Sequence, residues 1–122
     1  MAFHVAYDPQ CDCLIGEFIG SIDHEKLEEY ALEVAEAAKE HGCRRILNDL
    51  RKAEVRFSTT EIIEIPGFLE TTGIDRSWKR AVVVSQSLED YRFYETTALN
   101  RGYTVKIFTD LTEARDWLTQ EE

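Results

Sequence analysis

Apolar and polar positions alternate from Phe3 to Tyr7 and again from Cys13 to Ile19, on either side of the connector Asp8-Pro9-Gln10-Cys11-Asp12. A period of two flanking a turn-forming segment predicts a β-hairpin, its second strand ended by Gly20. The period then lengthens. Leu27, Tyr30, Ala31, Val34, Ala35 and Ala38 recur at the i, i+3, i+4 spacing of one buried helical face, with Asp23 as N-cap and Gly42 as left-handed stop. The opposite face stacks Glu25, Glu29 and Glu33, and Glu36 with Glu40, like charges that oppose the helix in isolation, so tertiary packing must supply its stability.

Arg45 to Leu50 reads as a short apolar strand, followed by an irregular segment from Arg51 to Phe57. Ser58-Thr59-Thr60-Glu61 is a capping box that opens a second helix, and Pro66-Gly67 predicts a break or kink after Ile65. Arg80 to Ser85 is almost continuously apolar, the signature of a central strand covered on both faces. Ser87 with Asp90 opens a third helix that carries Tyr91, Tyr94 and Ala98 inward and ends at Gly102; a strand from Tyr103 to Phe108 follows. Asp110 with Glu113 caps a last helix whose apolar side is Leu111, Ala114 and Leu118, with Trp117 beside them. The order ββαβαβαβα predicts an α/β fold, a largely parallel sheet with right-handed crossovers and an antiparallel hairpin at its start.

With 122 residues, one domain over the whole chain is expected, large enough for a core without metal or disulfides. A net charge of -10 repels phosphate backbones and anionic headgroups, so neither nucleic acid nor a membrane surface is an expected partner. No apolar run approaches the roughly 20 residues needed to span a bilayer. Cys11, Cys13 and Cys43 make an odd count, and the start MAFHVAYD lacks a secretory pattern, which together place the protein in a reducing cytoplasm. Cys11 and Cys13 are too close for the usual zinc spacing, and His4, His24 and His41 form no ligand pattern, so no metal site is expected. No glycine-rich nucleotide loop or nucleophile elbow is present, and no cofactor is expected.

The hairpin with its long acidic helix, the strand Ile46-Leu47-Asn48-Asp49, the strand Arg80-Ala81-Val82-Val83-Val84 and the ending Lys106-Ile107-Phe108-Thr109-Asp110 with Ala114 and Trp117-Leu118 resemble the sporulation anti-sigma factor antagonist (STAS) domains. Over nearly its whole length the chain resembles their SpoIIAA-like, STAS/Sec14-like bacterial relatives more closely. That resemblance implies a non-enzymatic regulatory module that binds a protein partner. It matches Asp49 to the family's acid after the third strand and Ser58 to the serine that a partner kinase phosphorylates. The family's regulatory members read Asp-Ser-Ser/Thr-Gly there, whereas this chain reads Phe57-Ser58-Thr59-Thr60-Glu61, without the preceding acid or the glycine.

On physical grounds Ser58 is a candidate phosphoacceptor, because a helix N-terminus favours an anion and Arg51 and Arg56 lie close by; the plain alternative is an N-cap, with Glu61 already serving as the local anion. Asp49, Ser85 and Asp110 fall at carboxyl ends of predicted parallel strands, where open α/β sheets place ligands, although capping and turn roles also explain them. Asp49, Arg51, Arg56, Thr59 and Ser85 form the candidate binding surface, and residues 49–61 the recognition segment. Phe57, Phe68 and Tyr94 form a candidate apolar groove beside the break at Pro66-Gly67 for a small-molecule or lipid ligand; core packing and self-association as a homodimer are the alternatives.

Overall fold

The computed structural model of the protein describes residues 3–55, 57–85 and 89–120, with the backbone alone for Thr59 and Asp90. Its elements run β1 (Phe3–Asp8), β2 (Cys13–Ile22), α1 (His24–His41), β3 (Arg45–Val55), α2 (Thr59–Thr71), β4 (Lys79–Val83), α3 (Glu89–Asn100), β5 (Thr104–Phe108) and α4 (Leu111–Thr119). The five strands lie in sequence order, β1-β2-β3-β4-β5. β1 and β2 pair antiparallel, and every later neighbour is parallel, with Leu14, Ile46, Arg80 and Val105 in one row across the sheet.

Successive crossovers of one hand, stepping in one direction across a sheet, leave their helices on one face. α1, α2 and α3 accordingly share a face: Tyr30, Ala31, Val34 and Leu69 pack with Leu14, Phe18 and Ile46, and Ala98 packs with Val82, Val84 and Val105. α4 covers part of the other face, where Ala114 and Leu118 meet Leu47, Ala81 and Val83. Gly16 lets α1 approach closely, because a Cβ there would lie 1.9 Å from the Tyr30 hydroxyl oxygen. The predicted caps are present. Asp23 accepts from the Lys26 N–H, Gly42 ends α1 in the left-handed conformation, and Asp110 accepts from the Glu113 N–H. Ser58 accepts from the Glu61 N–H while the Glu61 carboxylate accepts from the Ser58 N–H, completing the capping box.

Three expectations are corrected. The segment after Leu50 is strand as far as Val55, pairing with a β2 that likewise continues past Gly20 to Ile22, with Ala53 and Val55 packed on the core. Its charged residues mark the solvent side of a half-buried ribbon. Of the break or kink expected at Pro66, the break does not occur: α2 is continuous through it, and the ring is fully buried, so packing offsets the missing N–H. The apolar strand β4 is interior and covered on both faces, as its sequence predicts, with β3 the middle strand of the five. Finally, Cys11 and Cys13 are joined by a disulfide at the hairpin connector, which a reducing compartment does not predict, and Cys43 is free and buried. The expected opening of the third helix at Ser87 lies outside the described residues, as does Arg56.

Candidate functional site

Two features adjoin the segment 49–61. The first is a polar corner. β3 pairs with β4 only from Arg45 to Asp49, so the rest of β3 runs beyond the carboxyl end of β4, held by β2 alone. Side chains alternate along it: Asn48 accepts from the Tyr30 hydroxyl under α1, whereas Leu47 packs beneath α4. Asp49 therefore belongs to the α4 side of the sheet. Asp49 is not itself a surface residue, being only 6% exposed, and this corrects its assignment to the binding surface. Its carboxylate takes both forks of the Arg51 guanidinium, at 2.9 Å from Nε and 2.8 Å from Nη2, and the Arg51 N–H at 3.1 Å. Arg51's hydrogen bonding holds the Asp49 carboxyl below the ordinary carboxylate range, against the opposing effect of burial. Asp49 thus fixes a half-exposed Arg51 at the corner, beside the loose pair of Lys52 and Glu17 at 3.9 Å and the exposed Ile19.

Ser58 and Ser85 are exposed. Ser58 stands at the start of α2 with its hydroxyl oxygen engaged by the Glu61 N–H, and Ser85 lies two residues past Val83, which pairs with Asp49. Thr59 is the first residue of α2. Among the described residues, no three or more His, Cys, Asp and Glu side chains gather to hold a metal ion.

The second feature is a cavity of about 170 Å³ between the sheet and the three crossover helices. Phe57 and Tyr94 line it, with Ile62 and Ile65 of α2 and Tyr91 of α3. Phe68 does not: its ring packs on His24 at 4.5 Å, and this corrects its place in the apolar groove. The groove also has a different origin from the one expected, since α2 is unbroken and the space lies beneath it.

The polar part of that cavity was not among the residues expected to form a site. Arg80 projects from β4 into it, 2% exposed, with Nη2 donating to the Ile74 and Asp75 carbonyls at 3.0 and 3.1 Å. Its Nε and Nη1 are buried without a hydrogen-bond partner among the described residues. The guanidinium also lies 5.0 Å from the centre of the Tyr103 ring. Burial pushes the Tyr94 hydroxyl above its ordinary pKa, and the Arg80 charge and its side-chain hydrogen bonding to that hydroxyl, too loose to satisfy Nε or Nη1, oppose the rise. One signal was available: an arginine two residues before Val82, in a strand covered on both faces, has to go inside.

No family model and no curated protein matches the chain. Among solved structures, it superposes on a protein of the DUF3478 family from Shewanella loihica PV-4, described as having a SpoIIAA-like fold. The TM-score is 0.65 at 18% identity, over 96% of this chain and 93% of that one. The chain has the SpoIIAA-like fold. The anti-sigma factor antagonist SpoIIAA in its unphosphorylated form is a second neighbour, with a TM-score of 0.62 at 12% identity, covering 98% of this chain and all of that one. The strand order, the antiparallel opening pair and the four helices are those of an α/β SpoIIAA-like sheet. Among the described residues of this SpoIIAA-like chain, no helix is long and apolar enough to cross a membrane.

Proposed function

We propose that this SpoIIAA-like chain is a non-enzymatic regulatory module that binds a protein partner, or a second copy of itself, through the corner formed by Arg51, Lys52 and the start of α2. The observation that carries this reading is the Asp49–Arg51 pair. A buried carboxylate that spends all its bonds on one arginine performs no chemistry of its own, yet it presents a fixed cation on an acidic protein, where an acidic patch of a partner would meet it. The likeness of the fold to an anti-sigma factor antagonist supports the same reading.

Tagged protein recovered from its native cells tests it. A partner held by the wild type and by a Glu29→Lys control on α1, but lost by Arg51→Glu, supports the reading. Identical partners for all three, together with an unchanged native mass, refute it. Phosphorylation of Ser58 is the regulatory form of the proposal; incubation with the cognate kinase is expected to add one phosphate by intact mass, absent in Ser58→Ala. A second reading, a small-molecule carrier, is favoured by the cavity under α2.

A further inference from the structure

We propose that the cavity binds a small apolar carboxylate, its hydrocarbon body against Ile62, Ile65 and Tyr91 and its carboxylate on the donors that Arg80 leaves unused. This deepens the carrier reading and does not depend on the protein partner. Three observations lead to it. A guanidinium keeps its charge at any physiological pH, and buried donors left without an acceptor are costly; carbonyls satisfy Nη2 and the Tyr103 ring faces the group, but Nε and Nη1 still call for an acceptor. Among the described residues lining the cavity Arg80 is the sole charged one, and the carboxylate of neighbouring Asp75, on which the Arg80 charge acts only weakly, is exposed and taken by Ser77, at 2.9 Å from its N–H and 2.5 Å from its hydroxyl. Two other polar groups of the wall are engaged with each other and the sheet: Tyr30 donates to Asn48 at 2.5 Å, and Asn48 donates to the Ala81 carbonyl at 3.3 Å. Among the described residues the walls hold no anion.

Size narrows the class. At about 170 Å³ the space is close to a cavity of about 150 Å³ known to admit benzene, so a ring or a short branched chain fits and a two-chain lipid does not. The Tyr94 hydroxyl, beside the guanidinium, offers a second donor to the same carboxylate.

The test titrates the full chain with benzoate, 3-methylbutanoate and hexanoate and with the neutral benzyl alcohol, followed by calorimetry and by the Nε–H resonance of Arg80 in ¹H–¹⁵N spectra. At least one carboxylate is expected to bind ten-fold or more tightly than benzyl alcohol and to shift that resonance. Arg80→Met, of similar volume, is expected to lose the preference while retaining benzyl alcohol, and Arg80→Lys to keep part of it. Should Arg80→Met not fold, the wild-type preference and the Nε–H shift decide. Equal binding of acids and alcohol would overturn the anion site and leave the carrier reading standing. Binding of no probe at 10 mM would overturn both.

Discussion

Asp49 and Gly16 show how much a single side chain, or its absence, sets here. Because Arg51 depresses the Asp49 pKa in the folded chain, the pair's stabilisation is complete above the unfolded carboxyl value of about 4 and is lost as pH falls through the depressed one. Asp49→Asn is therefore expected to cost about 1 kcal/mol at pH 7, a figure held down by the solvent around Arg51, and to flatten the fall in stability between pH 5 and pH 2 in urea titrations. An unchanged acid profile in the variant would mean that the pair contributes nothing. At Gly16 the cost is steric: a methyl group collides with the Tyr30 ring, so Gly16→Ala should lose about 1–3 kcal/mol by the same titration, with no effect expected at the open Gly67 beyond helix propensity.

At the scale of the element, α2 combines a strong start with a weak middle. Its capping box satisfies the Ser58 and Glu61 N–H groups, while Pro66 withdraws a donor from the fifth residue before its end and survives because its ring is buried. Ser58→Ala should destabilise the protein by about 1 kcal/mol and Ser58→Asp, which can still cap, by less, measured by thermal unfolding. The ordering bears on the proposed phosphorylation, since a phosphate on Ser58 would compete with the Glu61 carboxylate that accepts from the Ser58 N–H. β3 makes the complementary point. It looked irregular where it turned charged, but Lys52 and Glu54 face water while Ala53 and Val55 face the core, so a single strand is half buried along its length.

For the whole molecule, stability rests on the two faces of the sheet and little on the covalent link. The Cys11–Cys13 bridge closes a loop of only three residues, so its removal restores little chain entropy. Reduction is expected to lower stability by about 1–2 kcal/mol and leave the far-ultraviolet circular dichroism unchanged; loss of the native spectrum in reductant would show that the hairpin depends on it. Local periodicity was enough to predict every element type and the order ββαβαβαβα, because period, caps and turn residues act within a few positions of one another. That the crossover helices share a face also follows from order and handedness.

What sequence alone could not determine depends on contacts between distant segments. The length of β3 was set by its pairing with β2, and the continuity of α2 through Pro66 by the core beneath it. Asp49 looked like a surface acid until the sheet turned it inward towards Arg51, and Phe68 like a groove wall until His24 took its ring. Arg80 is the clearest case: its identity was plain, but leaving its Nε and Nη1 without an acceptor required β4, α2 and α3 to enclose it with no carboxylate among the described residues that line the space. Patterns along a chain encode which faces are apolar; which buried donors are left without an acceptor is decided only when those faces meet.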